Sequence, residues 1–417
     1  MWHTDKRNWS RLDNAAKIFA PTSDHHDTRV FRFACELTEQ IDKERLQKAL
    51  DAAIEEFPGF RCVMHRGLFW NYLEQSPLRP LVQEETGVLC GPIYDKTKLT
   101  LLFRVTYYKT RINLEMFHVL SDGTGALAFL KTIVYYYLSG DQTAEAPSLP
   151  PDFSPVFRKS DDSFNKYYDK TKEKSPIEKR AYKLRGTIPA SCRLSVIEGV
   201  MSSQRLLELA HQYNTSITAL MTAVLMCAIY EEMPVRKRKR PVTISVPVNL
   251  RKYFPSETAR NFFGMINVSY SFKNQPPDFE HVLAHVTKIF RRELTIERLS
   301  IRMNKLIAVE HNFFVRIPPL PIKDFVLKLA RMVSDSKVTA VISNVGPVQM
   351  PEELSGRIRR FDFCISTRKT QLCICSFRDE MLMSFSSAFE ETTLQAGVFR
   401  RLREMGVEIT IYSNVGN

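Results

Sequence analysis

His118-Val119-Leu120-Ser121-Asp122-Gly123 is the stretch that most constrains the fold and chemistry of this chain. It joins a strand-like segment, 112–119, to an apolar segment, 125–138, that is typical of a buried helix. A histidine at the end of a strand projects its ring beyond the sheet edge, where a substrate can reach it. Asp122 is placed to cap the helix, and the glycines allow a tight turn. The stretch therefore predicts a reactive histidine on a strand–turn–helix unit.

Strand and helix signals alternate on both sides of this stretch. Before it, the pattern predicts a strand, a helix, a hairpin and two strands over 28–37, 43–57, 60–73, 101–108 and 112–119. Later in the chain it predicts strands over 192–198, 242–248, 264–272, 338–343, 358–366, 372–377 and 381–386. The helices predicted there cover 204–212, 217–231, 279–316, 322–332 and 392–405. Both halves are therefore mixed α/β.

The two halves are separated by a segment without periodicity. It is rich in Lys and Asp and is punctuated by Pro147, Pro150, Pro151, Pro155 and Pro176. We interpret residues 146–190 as a connector between an N-terminal domain, 1–145, and a C-terminal domain, 191–417. A chain of 417 residues with 44% hydrophobic side chains is long enough for two large cores.

The spacing His118-x-x-x-Asp122-Gly123 resembles the HxxxDG motif of the coenzyme A-dependent acyltransferase superfamily, which includes chloramphenicol acetyltransferase and peptide-synthetase condensation domains. Five other segments are similar to family features and extend the resemblance over nearly the full length: Trp9-Ser10-Arg11-Leu12-Asp13, Phe57-Pro58-Gly59-Phe60-Arg61, Pro247-Val248-Asn249-Leu250-Arg251, Asn261-Phe262-Phe263-Gly264 and Ser343-Asn344-Val345-Gly346. The subfamily that the chain looks closest to is the bacterial alcohol acetyltransferase-like group.

The resemblance implies an α/β (α+β) fold of two-layer sandwiches: two chloramphenicol-acetyltransferase-like domains with a tunnel along their interface and His118 at its middle. It implies that acyl-CoA, or a phosphopantetheine thioester, enters as a co-substrate, with no permanently bound cofactor. In the family, the motif aspartate pairs with an arginine and holds the histidine loop in shape. Asp122 and Gly123 match that motif here, and Arg251 is our candidate for the arginine.

The residues themselves support the same chemistry. A histidine has an ordinary pKa near 6.5, so His118 can accept a proton from a hydroxyl or amine near neutral pH. The sequence contains no G-x-S-x-G elbow for a serine intermediate, which favours direct attack on the thioester. The tetrahedral oxyanion needs a hydrogen-bond donor. Ser343 and Asn344, at the end of a predicted strand, either supply one or merely terminate the strand.

The favoured function is therefore an O-acyltransferase that uses acyl-CoA and a small hydroxylated acceptor. The alternative is an N-acyltransferase or condensation-like enzyme that takes substrates from an acyl carrier protein. Phe117 stands where condensation domains usually have a second histidine, which favours ester formation. A non-catalytic member of the fold, or a basic nucleic-acid-binding module, is a third hypothesis. The chain also lacks the plant-type DFGWG motif, so no detailed roles are carried over to Asn261-Phe262-Phe263-Gly264.

The net charge of +13 requires an explanation, because a basic surface attracts any anion. Part of the excess lies in the run 236–240, which is typical of a solvated connector but is also suited to a phosphorylated donor. We expect no nucleic-acid partner.

Several other features argue against further functions. We expect no metal site, because neither Ser23-Asp24-His25-His26-Asp27 nor the pair His281 and His285 has a convincing third ligand. No run approaches the roughly 18 to 20 apolar residues of a membrane span, so we expect no membrane insertion. Residues 1–30 show no signal peptide, which predicts a cytoplasmic protein. The eight scattered cysteines predict reduced core residues, and we expect a monomer.

Overall fold

The computed structural model describes residues 9–140, 167, 179–190, 193–256, 258–273, 275–311 and 317–414. Its strands are β1 Trp9–Arg11, β2 Val30–Leu37, β3 Cys62–Arg66, β4 Asn71–Gln75, β5 Val82–Glu84, β6 Phe103–Tyr108, β7 Arg111–Phe117, β8 Ser195–Ser202, β9 Val242–Asn249, β10 Phe263–Tyr270, β11 Ala340–Val348, β12 Ile358–Ile365, β13 Thr370–Phe377, β14 Glu380–Ser387 and β15 Thr410–Ser413. Its helices are α1 Asn14–Thr22, α2 Lys43–Glu56, α3 Gly123–Ser139, α4 Ser203–Gln212, α5 Ile217–Glu232, α6 Phe279–Glu293, α7 Ile296–His311, α8 Leu320–Asp335, α9 Glu352–Ser355 and α10 Thr393–Glu404.

A five-stranded sheet in the order β12-β2-β7-β6-β5 holds the motif histidine at the end of β7. β2 and β7 are antiparallel, with Val30 opposite Phe117. Because side chains alternate along a strand, Phe31 and Phe33 share one face with Leu114. That apolar face packs against α2 and α3 in a buried core. β1, β4 and β3 form a separate three-stranded sheet.

A seven-stranded sheet in the order β10-β9-β11-β13-β14-β8-β15 forms most of the second half. One face, which includes Ile342 and Phe385, packs in a second core with α4, α5, α6 and α10. α5 is buried almost all round, as its uniformly apolar sequence requires. The opposite face carries Cys373 and Leu382 into the same core as the N-terminal sheet. The two sheets therefore meet directly.

One strand crosses the division predicted from the sequence. β12 comes from the C-terminal half but pairs antiparallel with β2 of the N-terminal sheet, with Phe363 opposite Phe33. β12 also packs against β13 and β14 of the larger sheet. The proposed C-terminal domain, 191–417, thus forms the seven-stranded sheet and also contributes β12 to the five-stranded sheet. Such a long-range pairing leaves no local trace in a strand pattern.

Most predicted elements of the described residues are present within a few positions. Within the predicted strand 192–198, Cys192 lies outside the described residues, as does most of the predicted connector, 146–190. Residues 179–190 form neither helix nor strand. Five elements were not predicted: the helix α1, which contains Pro21 near its end, the one-turn helix α9, and the short strands β1, β5 and β15. The predicted helix 279–316 is two helices, α6 and α7, over its described part, and residues 312–316 lie outside the described residues.

Seven cysteines are described, and all are free and buried. The basic run 236–240 begins as a short turn, Val235–Lys237, between α5 and β9, and several of its residues are exposed. No single helix of the described residues has the length and apolar composition to cross a membrane; α4 and α5, bent by 83° to each other, satisfy those criteria only as a pair.

A buried carboxyl group lies where the sheets meet. Burial, followed by the nearby carboxylate of Glu198, raises the pKa of Asp362 on β12 to about 7. Arg360 and Arg111 act in the opposite direction. Because the folded chain holds this proton well above pH 3.8, its stability falls as pH rises from about 4 to about 7.

Asp362→Asn replaces the buried carboxyl group, whose ionisation destabilises the folded chain, with an amide that does not ionise. We expect the melting temperature of this variant to exceed that of the wild type by roughly 2–5 °C at pH 8 and by much less at pH 5, measured by calorimetry. Asp51→Asn, which alters a carboxylate paired on the surface with Arg79, is the matched control and should change little at either pH. Equal shifts of Asp362→Asn at both pH values would contradict this account.

Candidate active site

The ring of His118 lies in an aromatic cage at the end of β7. Phe19 is tilted over it with ring centroids 4.3 Å apart, and Phe31 and Phe263 follow at 5.0 and 5.7 Å. Burial lowers the pKa of His118, so the imidazole is neutral near pH 7. The residue nevertheless remains partly exposed to solvent. The cage therefore holds a neutral imidazole that is partly exposed to solvent.

Asn261 fixes which ring nitrogen carries the proton. Its Nδ2 donates to Asp13 Oδ2 and to the His118 carbonyl oxygen, both at 3.0 Å. The amide oxygen therefore points the other way, at 3.1 Å from His118 Nδ1. Since an amide oxygen only accepts hydrogen bonds, Nδ1 must be the protonated nitrogen. This assignment leaves Nε2 with a free lone pair, the form required of a base.

Asp122 begins α3 and joins the two halves of the chain. Its Oδ1 accepts from the backbone N–H groups of Thr124 and Gly125, both at 3.1 Å. Its Oδ2 accepts from the Phe262 backbone N–H and from Arg251 Nη1, both at 2.8 Å. The predicted helix cap and the ion pair with Arg251 are thus both formed, by different oxygens of one carboxylate.

Arg251 shapes the segment that carries Asn261. Its Nε and Nη2 donate to the carbonyl oxygen of Thr258 at 3.0 and 2.9 Å, and Nη2 also donates to that of Arg260. The side chains of Arg251 and Asp122 are only 10% and 6% exposed. Leu250 and Phe262 anchor the same segment in a small core against α7. The ion pair is therefore buried, with its hydrogen-bonding groups used.

The two glycines of the loop have different surroundings. A Cβ on Gly125 would lie 2.2 Å from the Ala259 carbonyl oxygen, so only glycine fits there. A Cβ on Gly123 would meet Phe33 and Val345 at 3.7 Å, an ordinary contact distance. Gly125 thus permits the close approach of the two halves, while Gly123 faces the strand that contains Val345.

The structure separates the two predicted oxyanion donors. Ser343 lies opposite Cys373, on the sheet face that meets the N-terminal half, and its Oγ accepts from Gln371 Nε2 at 2.9 Å. That bond leaves the Ser343 hydroxyl proton free to donate. Asn344 Nδ2 instead donates to Thr218 of α5 at 2.9 Å, and its Oδ1 accepts from the Gly346 N–H. Asn344 therefore faces the helical layer.

Several residues of the cage had not been singled out from the sequence. Phe19 lies on a helix that was not predicted, and Phe31 was regarded only as a strand residue. Arg29, whose carbonyl oxygen accepts from the His118 N–H at 2.9 Å, had no sequence signal. Asn261 and Asp13 lie in segments that are similar to family features, but neither had been assigned a role.

The described residues contain no group of three or more His, Cys, Asp or Glu side chains placed to hold a metal ion. His281 pairs instead with Asp278, and His285 Nε2 lies 3.0 Å from the Ser269 carbonyl oxygen. In the acidic and histidine-rich segment, Asp24 pairs with Arg368.

Comparison with known proteins places this site in a family context. The alcohol acetyltransferase family model matches residues 121–396, a match that begins just after His118. No curated protein sequence matches the chain.

Solved structures share the fold over nearly the whole chain. F. graminearum TRI101, complexed with coenzyme A and deoxynivalenol, is 10% identical and has a TM-score of 0.66, over 96% of this chain and 99% of that one. TRI3 trichothecene 15-O-acetyltransferase from Fusarium sporotrichioides is 10% identical, with a TM-score of 0.65 over 97% and 96%. The condensation domain of the monacolin K polyketide synthase MokA is 13% identical, with a TM-score of 0.60 over 95% and 96%. The superfamily and the two-domain α/β class predicted from the sequence are confirmed.

Arg251→Ala leaves the Asp122 carboxylate buried without its ionic partner. We expect a loss of about 3–5 kcal/mol in the free energy of unfolding, measured by denaturant titration, because an uncompensated buried charge is costly. Arg79→Ala, which breaks the surface pair with Asp51, is the control and should leave the midpoint nearly unchanged. A loss no greater than that of the control would show that the buried pair does not hold the loop.

Proposed function

This chain belongs to the alcohol acetyltransferase family, and on that premise we propose that it transfers an acyl group from acyl-CoA to a small hydroxylated acceptor, with His118 as the general base. The observation that carries the proposal is the 3.1 Å contact between His118 Nδ1 and Asn261 Oδ1, which assigns the proton to Nδ1 and leaves the lone pair on Nε2. A neutral imidazole held in one orientation is the group that deprotonation of a hydroxyl requires.

The proposed reaction proceeds by direct attack. His118 Nε2 takes the proton of the acceptor hydroxyl while the oxygen bonds to the thioester carbonyl carbon. The tetrahedral intermediate collapses as the C–S bond breaks, and the proton passes from Nε2 to the departing sulfur. The products are an ester and free coenzyme A, with no covalent enzyme intermediate.

The remaining residues have supporting roles in this proposal. Ser343, whose hydroxyl proton is free, stabilises the oxyanion, while Asn344 keeps the strand in shape through Thr218. Asp122, Gly123 and Arg251 position the histidine loop and do not exchange protons with substrate. The coenzyme A bound in F. graminearum TRI101 supports acyl-CoA as the donor.

A condensation-like N-acyltransferase is the second candidate, because the MokA condensation domain shares the fold. Such an enzyme takes its acyl group from the phosphopantetheine of a carrier protein. Amide products that depend on a carrier, with no consumption of free acyl-CoA, would select this candidate.

His118→Ala should lower acceptor-dependent thiol release by at least about a hundredfold, the lower range of what a positioned base supplies. The assay uses a panel of acyl-CoAs with mixed alcohols and amines and detects the freed thiol. His118→Asn is the matched variant, because its amide N–H can still donate to Asn261 but it offers no base. Wild-type rates in either variant, with an unchanged melting temperature, would exclude His118 as the base.

The pH profile should follow the lowered pKa of His118. The base must be neutral, so kcat/KM should fall only on the acid side, with its half-maximum below pH 6.5. The hydrogen bond to Asn261 raises this pKa, so Asn261→Ala should move the half-maximum further toward acid. The same variant should lower the plateau by roughly ten- to a hundredfold, because the ring loses its fixed orientation. A half-maximum above pH 7 in the wild type would contradict the assignment.

A further inference from the structure

Arg29 lies beside the histidine cage in a backbone conformation that few residues adopt. Its φ of +56° is in the left-handed region, which is uncommon for residues other than glycine. Its guanidinium carbon lies 5.6 Å from the centre of the Phe19 ring, the same ring that stacks on His118. The guanidinium of Arg29 and the ring of His118 therefore contact the same phenyl ring, which places a cation close to the proposed base.

This cation is poorly compensated. The Asp27 carboxylate is 3.6 Å from Arg29 Nη1, beyond hydrogen-bond distance. The same carboxylate oxygen is 2.5 Å from Arg331 Nη2, so the closer ion pair of Asp27 is with Arg331. Among the described residues, the buried Nε of Arg29 has no hydrogen-bond partner. Arg29 therefore has hydrogen-bonding capacity that its neighbours do not use.

The surroundings add positive charge. Lys369 donates to the carbonyl oxygens of Asp335 and Val338, both at 2.8 Å, and its nearest carboxylate oxygen, on Asp335, is 4.0 Å away. Arg29, Arg331 and Lys369 thus share the two carboxylates of Asp27 and Asp335. Asp24 also acts on Arg29 but pairs with Arg368. Among the described residues, these four cations therefore face three carboxylates, and one positive charge is left uncompensated.

Arg29 is enclosed by protein yet accessible. Burial lowers its pKa, while 22% of its side-chain surface still reaches solvent. A desolvated cation without a full partner is costly. This combination is expected of a residue whose charge is balanced by an anionic ligand.

We propose that Arg29 binds a carboxylate of the substrate held against His118, and this inference rests on the proposed function. Arginine pairs with carboxylates through a planar fork of N–H donors. Because Arg29 and His118 contact the same phenyl ring, an anion bound by Arg29 would belong to a part of the substrate only a few bonds from the reacting atoms. The phosphates of coenzyme A are separated from the thioester by the long pantetheine arm. The carboxylate therefore belongs to the hydroxy acid acceptor or to a dicarboxylic acyl group.

The test compares matched substrates that differ in one carboxylate. The acceptor pair is 3-hydroxybutyrate and 2-butanol, and the donor pair is succinyl-CoA and butyryl-CoA. In the wild type, kcat/KM should favour the carboxylate-bearing member of one pair, and that pair identifies the source. Arg29→Gln should lower the ratio of kcat/KM for this member to kcat/KM for its neutral partner by roughly ten- to a hundredfold.

Two further variants separate recognition from folding. Arg29→Lys keeps the charge and should recover part of the loss. Arg79→Gln removes an exposed cation that pairs with Asp51 and should behave as the wild type. Equal losses on neutral and carboxylate substrates in Arg29→Gln, or no preference for either carboxylate in the wild type, would overturn the assignment.

Calorimetry of binding without turnover distinguishes failure of this inference from failure of the proposed function. 3-Hydroxybutyrate and succinyl-CoA are titrated into the wild type and into Arg29→Gln. If no donor is consumed but one ligand binds the wild type and binds Arg29→Gln at least tenfold more weakly, the proposed reaction fails and the carboxylate site stands. If donors are consumed and neither ligand distinguishes the two proteins, the site fails and the reaction stands.

Discussion

The carboxylate of Asp122 is the point on which the rest of the site depends. It accepts four hydrogen bonds, two from the first turn of α3 and two from the segment that contains Arg251 and Phe262. A carboxylate so little exposed is tolerated only when its acceptor sites are filled. These donors come from residues about 130 positions apart in the chain, so the two halves must be docked before the charge is satisfied. The turn after β7, and with it His118, is then held in one position.

The position of His118 is set by both halves of the chain rather than by the motif alone. His118 comes from the N-terminal half, while Asn261, which sets its tautomer, comes from the C-terminal half and is itself held by Asp13. The close approach of Ala259 to Gly125 and the strand exchange through β12 reinforce the same interface. In the proposed reaction, His118 can therefore act as a base only when the two halves of the chain are docked.

Sequence reasoning identified the features whose signal is local. The strand before His118, the helix after it and the longer strands of both sheets follow from residue periodicity, and the pairing of Asp122 with Arg251 was expected from the family resemblance. The contributions of Phe19, Arg29 and Asn261 depend on contacts between distant segments, which periodicity does not encode. Ser343 and Asn344 face opposite sides because β11 continues to Val348 and side chains alternate along it, whereas the predicted strand stopped at residue 343. Pro21 concealed α1 because a proline is usually taken as the end of a helix.

The electrostatics of the cage involve a compromise between charge state and basicity. Burial is the largest influence that lowers the pKa of His118, and Arg29 acts in the same direction, whereas Asp122 and Asn261 raise it. A lower pKa keeps the ring neutral and ready at pH 7 but makes it a weaker acceptor for the proton of a hydroxyl. A bound carboxylate would neutralise Arg29 and remove one of the influences that lower the pKa. If Arg29 is the recognition residue, binding of the correct substrate would therefore also make His118 a stronger base at the moment of reaction, coupling specificity to catalysis through one cation.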